Sequence, residues 1–336
     1  MSSRGTIRVA LDAMGGDRGP EVTVAGAVSA ARELDSTVIL VGDEKVLQDH
    51  LARHDVRGLG LSIRHAPEAV AMGESPMSAL RKKKQSSIRV GLDLVKRGDA
   101  EAFVSAGNTG AVMATALVVL GPLPGVERPA IAVVLPTLTH RAVMLDVGAN
   151  VDCKARHLVQ FAIMGNVYAR YILGQPRPRV GLLSIGEEES KGNELTREAF
   201  KEIEDESSLN FIGNVEGRDV FSGTADVIVC DGFTGNVSLK ISEGLAETIL
   251  HLLREELKKD LRGRMGSLLL IPTFRRFKRR IDSSEFGGAP LLGVNGVCMI
   301  SHGRSTEKAI RNAIRAAEGC VSNTVIAHIR AGIAFG

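Results

Sequence analysis

The sequence contains few aromatic residues: tryptophan is absent, and aromatic residues make up 4% of the 336 residues. Proteins that bind single-stranded nucleic acids usually stack the bases on aromatic side chains. The formal net charge is only +3, which gives no strong positive field for a polyanion. Together, these two features argue against a nucleic-acid partner.

Cysteine is also scarce, with four residues and no CxxC spacing. We therefore expect free thiols in a reducing compartment, without disulfides or a structural zinc. No stretch reaches the ~18 consecutive apolar residues typical of a membrane-spanning helix, and residues 1–8 lack the apolar region of a signal peptide. The sequence therefore predicts a cytoplasmic protein without a spanning segment.

Glycine, in contrast, is abundant, with 37 residues. Five times along the chain, an apolar run stops at a glycine-rich turn that carries polar residues. In an open parallel α/β sheet, such turns lie at the carboxyl ends of the strands, where ligands bind. We therefore expect the five turns to converge on one site. They are Val9–Asp17, Phe103–Ala111, Val143–Asp152, Val180–Glu194 and Val227–Val237.

Strand-like and helix-like patterns alternate between these turns, which is typical of βαβ units and a mainly parallel sheet. We expect one unit over residues 1–336, which could divide into two lobes near residues 174–178. A helix over Asn236–Lys259 is predicted to turn its leucine and isoleucine stripe to the core. One terminal helix is predicted over Ser305–Ile329. The predicted strands include Thr37–Gly42, Leu61–His65 and Ala102–Ser105.

A segment over residues 261–288 combines an apolar run with a cationic cluster. Apolar anchors beside basic residues are typical of a surface element that enters anionic lipid headgroups. The same charges would attract an acidic carrier protein, and a third interpretation is a linker that covers the subunit's own core. We favour membrane contact, through Leu268, Leu269, Leu270, Ile271, Phe274, Arg275, Arg276 and Phe277.

The first glycine turn, Gly15-Gly16-Asp17-Arg18-Gly19, matches neither the dinucleotide fingerprint nor the P-loop. Backbone N–H groups at a strand–helix junction still form an anion site, and phosphate is the natural ligand. Aspartates at strand ends usually cap the following helix, so we expect no metal site and no cofactor. The turn therefore favours phosphate binding by backbone groups.

Lysine and asparagine side chains in the other turns have two interpretations. Lys191 is either a solvated lysine or the partner of an oxyanion or phosphate. The asparagines are either turn and cap residues or amide donors that form an oxyanion hole. They are Asn108, Asn150, Asn193 and Asn236. Cys153 and Cys230 adjoin strand ends, but no histidine stands beside either in the sequence, so we expect structural thiols.

Seven motifs together resemble the bacterial phosphate acyltransferase family, PlsX, and the resemblance extends from about Ile7 to Ala327. Arg18 stands where the first motif of that family commonly has histidine, and the arm over residues 261–281 follows the family only in character. The motifs are Leu11–Asp17, Ser105–Ala111, Asp146–Ala169, Ile185–Thr196, Phe211–Asp219, Asp231–Lys240 and Gly287–Gly296.

This resemblance implies a Rossmann-like three-layer α/β/α fold, related to phosphotransacetylases and isocitrate-type dehydrogenases, with a protruding helical arm that faces the membrane. It implies transfer of a long-chain acyl group from acyl carrier protein to inorganic phosphate. The acyl phosphate would then serve a glycerol-3-phosphate acyltransferase in phospholipid synthesis. It also implies a homodimer with peripheral membrane association.

The resemblance and the turns together give a set of site residues. We expect Lys191 and Asn236 to be catalytic. The predicted phosphate and substrate contacts are Asp12, Gly15, Gly16, Asp17, Gly107, Asn108, Thr109, Gly110, Asn150, Asp152, Asn193, Thr234 and Gly235. Three alternatives stay open: a phosphotransacetylase that uses short-chain acyl-CoA, a nicotinamide-dependent dehydrogenase, and a non-catalytic membrane scaffold for lipid-synthesis enzymes.

Overall fold

The computed structural model describes residues 6–259, 261–281, 285 and 287–335. Within these ranges, eleven strands form one sheet. The predicted bounds of three strands, β2, β3 and β4, are confirmed. The strands are β1 (Arg8–Asp12), β2 (Thr37–Gly42), β3 (Leu61–His65), β4 (Ala102–Ser105), β5 (Ala130–Pro136), β6 (Arg141–Leu145), β7 (Arg179–Leu183), β8 (Asn210–Val215), β9 (Val227–Val229), β10 (Ala289–Leu292) and β11 (Val297–Ile300).

Helices connect most of the strands, and a short 3-10 helix covers Gly217–Phe221. The α-helices are α1 (Pro20–Glu33), α2 (Glu44–Leu51), α3 (Pro76–Lys82), α4 (Ser87–Arg97), α5 (Thr109–Val119), α6 (Ala155–Tyr171), α7 (Glu194–Glu204), α8 (Gly232–Lys258), α9 (Leu261–Leu269), α10 (Ile271–Ile281), α11 (Glu307–Ser322) and α12 (Val325–Phe335).

The sheet consists of two parallel blocks, in the strand order β3-β2-β1-β4-β11-β10-β5-β6-β9-β7-β8. The first block is β3-β2-β1-β4-β11, and the second block is β6-β9-β7-β8. Between them, β10 and β5 are antiparallel to both of their neighbours. The second block therefore runs opposite to the first. The mostly parallel sheet is confirmed. The five turns do not all lie at one edge of the sheet, and their convergence on one site stays a prediction.

Helices cover both faces of the sheet. On β1, Val9 and Leu11 belong to one core cluster and Ala10 to the other, as the alternation of side chains along a strand requires. Helices α1, α6, α7, α11 and α12 pack with the first cluster, whereas α4, α5 and the start of α8 pack with the second. The molecule therefore has the three layers that the family resemblance implied.

Helix α8 differs from its prediction in two ways. It begins at Gly232, four residues before the predicted start, and its stripe does not face the core. Leu245, Ile249 and Leu252 are 58%, 54% and 61% exposed. The reason is length: α8 has 27 residues, or about 40 Å, whereas the longest strand has seven residues, or roughly 23 Å. The helix extends past the sheet, so its far half has no core to contact.

The predicted terminal helix is in fact two helices. Chain direction changes at Asn323 and Thr324, where Thr324 has a φ of 48°. The first helix begins at Glu307, two residues after the predicted start, because the Thr306 side chain accepts a hydrogen bond from the Ala309 amide and caps α11. Ile310 and Ile314 are fully buried, so the apolar line of α11 packs in the core.

The arm over residues 261–288 contains α9 and α10, and residues 282–284 and 286 lie outside the described residues. A division into two lobes near residues 174–178 stays a prediction. That segment lies between α6 and β7, inside the second block. It does not coincide with β10 and β5, where the strand direction reverses between the two blocks. In the described part of the chain, no helix is both long enough and apolar enough to cross a bilayer.

Candidate active site

The carboxyl ends of β1 and β4 are joined through the buried carboxylate of Asp12. Its Oδ1 accepts a hydrogen bond from the Met14 amide at 3.2 Å, and its Oδ2 accepts one from the Ser105 hydroxyl at 2.7 Å. The Ser105 oxygen in turn accepts the Gly107 amide at 3.0 Å. Burial raises the pKa of Asp12, and hydrogen bonds from Ser87 and Ser105 oppose that rise. Asp12 therefore fixes both turns, and its contact with a ligand stays a prediction.

The two turns approach each other so closely that Gly15 tolerates no side chain. A Cβ added at Gly15 would lie 2.5 Å from Asp12 Oδ2 and 2.7 Å from the Gly107 nitrogen. Gly16 has a φ of 96°, which favours glycine. The sequence predicted a phosphate site from Gly15, Gly16 and Gly107, and the structure brings the three together.

A third turn, which the sequence analysis missed, completes this group. The Asp17 amide donates a hydrogen bond of 2.8 Å to the carbonyl oxygen of Gly303. Gly303 follows β11, which pairs with β4. The signal was present as an apolar run that ends at Ser301, His302 and Gly303, but this turn contains no aspartate or asparagine, unlike the five turns that the sequence analysis identified.

Asn108 caps α5, and its amide is committed to the backbone. Its Oδ1 accepts the Ala111 amide at 3.0 Å, and its Nδ2 donates to the carbonyl oxygens of Met72 and Glu74 at 2.8 and 2.9 Å. Thr109 is exposed at the first position of the helix, and Gly110 lies beneath Pro76. The contacts favour the cap interpretation for Asn108, whose side chain also holds residues 72–74 over the turn.

In the second block, Asp146 organises the turn after β6. Its Oδ1 accepts hydrogen bonds from the amides of Ile131 and Ala149, and its Oδ2 accepts the Asn150 amide at 2.7 Å and the Asn150 side-chain amide at 2.9 Å. Burial raises the pKa of Asp146, and these N–H donors oppose the rise. Asn150 also donates to the Pro129 carbonyl oxygen, so its amide has a structural role, while Asp152 is exposed.

The start of α8 packs directly on this turn. The Gly232 amide donates to the Asn150 carbonyl oxygen at 2.8 Å, and a Cβ at Gly235 would collide with the carbonyl oxygen of Asp146. Asp231 caps the helix through the Thr234 amide and accepts the Thr234 hydroxyl at 2.7 Å. Thr234 and Gly235, two of the predicted contacts, therefore hold the helix against the turn.

Asn236 lies one turn into α8, beside Gly148. A Cβ added at Gly148 would lie 3.6 Å from the Asn236 Cγ. The Asn236 side chain is exposed, and it makes no hydrogen bond within the described ranges, in contrast to Asn108, Asn150 and Asn193. Of the four asparagines, Asn236 has the amide that is available to a ligand.

Lys191 lies in the loop after β7, where its own amide donates to the Glu188 carbonyl oxygen. The side chain is exposed. Two residues later, the Asn193 Oδ1 accepts the Thr196 amide and caps α7. Asn193 also lines an open cleft of about 600 Å³, which the start of α6 borders on the other side. The cleft is lined by Cys153, Lys154, Ala155, Arg156, Asn193, Glu194, Leu195, Glu198 and Glu202.

The predicted site residues therefore form two groups. Asp12, Gly15, Gly16, Asp17 and Gly107–Gly110 lie at strand ends of the first block. Asn150, Asp152, Lys191, Asn193, Thr234, Gly235 and Asn236 lie at strand ends of the second block. Because the blocks run in opposite directions, strand direction alone does not bring the groups together. That both groups contact one phosphate stays a prediction.

The two cysteines near the second group are poorly ionised. Burial, followed by the charge of Asp146, raises the pKa of Cys153 to about 11. Burial also raises the pKa of Cys230, which is fully enclosed. Since the thiolate is the nucleophilic form, neither group is suited to attack a thioester at neutral pH.

The arm presents exposed apolar side chains. Leu269 is 83% exposed, and Leu270, Ile271 and Phe277 are 45%, 39% and 49% exposed. Phe274 is half-buried and Arg276 is exposed. These exposures disfavour the interpretation of the arm as a cover for the subunit's own core. The side chains of Leu268 and Arg275 lie outside the described residues.

Among the described residues, no group of three or more histidine, cysteine, aspartate or glutamate side chains comes together to hold a metal ion. The contacts in the second group consist instead of backbone amides, two caps and one exposed asparagine. The exposed asparagine amide is a neutral donor, which suits an oxyanion.

The fold is that of the phosphotransacetylases. A Streptococcus pyogenes phosphotransacetylase has a TM-score of 0.63 at 20% identity, with 94% of each chain covered. The EutD phosphotransacetylase of Staphylococcus aureus has a TM-score of 0.61 at 18% identity, also with 94% of each chain covered. A 4-hydroxythreonine-4-phosphate dehydrogenase of Klebsiella pneumoniae has a TM-score of 0.54 at 14% identity, with 94% of this chain and 100% of that chain covered. At these identities, the likeness concerns the fold alone.

The sequence relatives identify the family. A phosphate acyltransferase of Syntrophotalea carbinolica is 56% identical over 319 residues, which cover 95% of this chain and 92% of the relative. A phosphate acyltransferase of Geobacter sulfurreducens has the same identity and coverage. The model of the family described as "Fatty acid synthesis protein" matches residues 7–328. The chain therefore belongs to this family of acyltransferases, and the resemblance to bacterial phosphate acyltransferases is confirmed.

Proposed function

We propose that this protein transfers a long-chain fatty acyl group from acyl carrier protein to inorganic phosphate. The observation that carries the proposal is the 56% identity to phosphate acyltransferases over 95% of the chain. The product, an acyl phosphate, keeps an activated carbonyl and is consumed by a glycerol-3-phosphate acyltransferase in phospholipid synthesis.

The reaction needs no covalent enzyme intermediate. A phosphate oxygen attacks the thioester carbonyl carbon, the C–S bond breaks, and the carrier thiolate leaves and takes up a proton. A thiol with a pKa near 8.5 is a good leaving group, so the protein acts mainly by positioning and charge stabilisation. The high pKa values of the Cys153 and Cys230 thiols support direct transfer.

The site residues have separate roles in this proposal. Backbone amides of the turns Gly15–Asp17 and Gly107–Gly110 hold the phosphate, as amides at a helix start commonly do. Asn236 donates its side-chain amide to the tetrahedral oxyanion, since that amide has no hydrogen-bond partner among the described residues. Lys191 neutralises the charge that develops at the reaction centre.

The test is phosphate-dependent release of acyl phosphate from palmitoyl carrier protein, with the product trapped by hydroxylamine. Acetyl-CoA serves as the second donor. We expect turnover with palmitoyl carrier protein and little with acetyl-CoA. The opposite preference would indicate a short-chain phosphotransacetylase, and no phosphate-dependent loss of thioester from either donor would indicate a non-catalytic scaffold.

The exposed stripe of α8 supports a homodimer. Leu245, Ile249 and Leu252 are all more than half exposed on one long helix, and apolar patches of this kind mark interaction surfaces. The paired change Leu245→Glu and Ile249→Glu is expected to give monomers in sedimentation velocity. Val118→Glu, at an exposed apolar position on α5, is the control. A wild-type chain that sediments as a monomer at micromolar concentration would contradict the dimer.

The arm supports peripheral association with an anionic membrane on the cytoplasmic side. Leu269 and Phe274 changed together to glutamine are expected to weaken binding to phosphatidylglycerol vesicles and to leave turnover in solution unchanged. Val118→Gln is the matched control. Vesicle binding equal to that of the wild type would leave docking of an acidic carrier protein as the role of the arm.

A further inference from the structure

A second cavity, of about 210 Å³, lies between α8 and the short 3-10 helix, against the face of β5 and β6. Six of its nine lining residues carry apolar side chains. The lining residues are Leu135, Met144, Gly217, Val220, Phe221, Ser238, Leu239, Ile241 and Ser242.

The polar groups in the lining do not make the cavity hydrophilic. The Ser242 hydroxyl donates a hydrogen bond of 2.8 Å to the Ser238 carbonyl oxygen and is thereby turned back to its own helix. Leu135, Met144 and Val220 are buried and belong to the second core cluster. The cavity therefore suits an apolar ligand, because apolar cavities in proteins exclude water and bind hydrocarbon.

The cavity lies close to the second group of site residues along two independent elements. On α8, Leu239 follows Asn236 by three residues, or about 4.5 Å along the helix axis. On β6, Met144 precedes Asp146 by two residues, or roughly 7 Å along the strand. A ligand whose reacting carbon contacts Asn236 can therefore extend along α8 into the cavity.

The mouth of the cavity is apolar and open. Ile241 is 64% exposed and Phe221 is 37% exposed. The Leu138 amide donates a hydrogen bond of 3.0 Å to the Phe221 carbonyl oxygen, which ties the 3-10 helix to the turn between β5 and β6. One wall of the mouth is thus held by the sheet, and the other is the first half of α8.

We propose that this cavity binds the hydrocarbon chain of the acyl donor and of the acyl phosphate product. The inference rests on the proposed function, since that reaction supplies a reactive head group with an apolar tail. Each methylene moved from water to an apolar site strengthens binding by a factor of about four. The cavity therefore makes the protein favour long acyl chains over short ones.

The test fills the cavity from the helix without removing a buried side chain. Ser242→Phe and, as a second variant, Ser238→Leu add bulk at half-buried positions. kcat/KM is measured with acyl carrier proteins that carry 4 to 16 carbons. We expect the two variants to lose about tenfold or more with the longest donors and little with the shortest, so that the dependence on chain length flattens. Val118→Phe adds similar bulk at an exposed position on α5 and is expected to follow the wild type.

A binding measurement separates this proposal from the proposed function. A fluorescent hexadecanoate is titrated into the wild type and each folded variant, with folding checked by thermal unfolding. Weaker binding by Ser242→Phe or Ser238→Leu supports the cavity as the chain site even if no acyl phosphate is formed. Equal binding, or an equal loss of kcat/KM at all chain lengths, would overturn the proposal.

Discussion

Gly148 lies directly against the side chain of Asn236, such that a Cβ added at Gly148 would lie 3.6 Å from the Asn236 Cγ. Gly148 has a φ of 125°, which side chains rarely adopt. The turn after β6 and the start of α8 therefore contact each other through the smallest residue available. This contact places the only predicted catalytic amide beside the Asp146 turn.

Gly148→Ala should reduce activity by about tenfold or more, because strain of roughly 1–3 kcal/mol at this φ would shift the turn away from Asn236. The measurement is kcat for acyl-phosphate formation, together with the melting temperature. Gly58→Ala is the control, since Gly58 has a φ of 74° and open space around its Cβ position. If Gly148→Ala keeps wild-type kcat at a lowered melting temperature, the turn has a structural role only.

Asn236→Ala should lower kcat on the order of a hundredfold, the usual cost of removing one oxyanion donor. Its melting temperature should stay unchanged, because the side chain is exposed. Thr248→Ala, on the same helix and with its hydroxyl bonded to the Gly244 carbonyl oxygen, is the matched control. Unchanged kcat in Asn236→Ala would remove Asn236 from the mechanism.

Lys191→Ala should also lower kcat by about a hundredfold, since it removes the positive charge that offsets the developing oxyanion. Lys201→Ala, an exposed lysine on α7, controls for the loss of a surface charge. Equal activity in Lys191→Ala and Lys201→Ala would show that Lys191 is a solvated lysine.

Asp146→Asn should destabilise the protein by about 1–3 kcal/mol. The new side-chain NH2 group would face backbone N–H groups whose hydrogen bonds the carboxylate accepts in the wild type. Urea unfolding gives the difference. Asp49→Asn on α2, where the side chain is exposed, should unfold like the wild type. A stability change below about 0.5 kcal/mol for Asp146→Asn, within the usual range for surface substitutions, would contradict the role assigned to these hydrogen bonds.

Cys153 should react slowly with iodoacetamide at neutral pH. Its pKa is raised to about 11 by burial and by the charge of Asp146, so about one thiol in a thousand is ionised at pH 8. The alkylation rate should therefore keep rising with pH past 9, and Cys153→Ser should retain activity. A rate that levels off near pH 8, with loss of activity in Cys153→Ser, would point to a thiolate nucleophile.

Much of the fold could be predicted from the sequence because local signals were strong. The apolar runs of β2, β3 and β4 end at turn residues, and Thr306 carries the signature of a helix cap. The reversal between the two blocks could not be predicted, because a run followed by a glycine turn looks the same in either direction. The apolar stripe of α8 was ambiguous for a similar reason, since a core and an interaction surface select the same spacing.

The site was predictable in its backbone but not in its side chains. Glycines such as Gly15 are required by close approaches that the turn motifs indicate. Asparagine serves equally as a cap and as a ligand donor, so only contacts in the folded chain separate Asn236 from Asn108. Asp146 was recognised only as one of several aspartates. Three of its four N–H donors belong to Ala149 and Asn150 in its own turn, and the fourth is the Ile131 amide on the neighbouring strand, so only the folded chain shows that they all point to one carboxylate.

The central claim, direct transfer within one complex of phosphate and acyl carrier protein, is tested most directly by label exchange. Palmitoyl carrier protein, the acyl donor, is mixed with the enzyme and with labelled carrier protein that bears no acyl group, in the absence of phosphate. We predict no transfer of the acyl group to the labelled carrier until phosphate is added. Exchange without phosphate would reveal an acyl-enzyme and contradict the account.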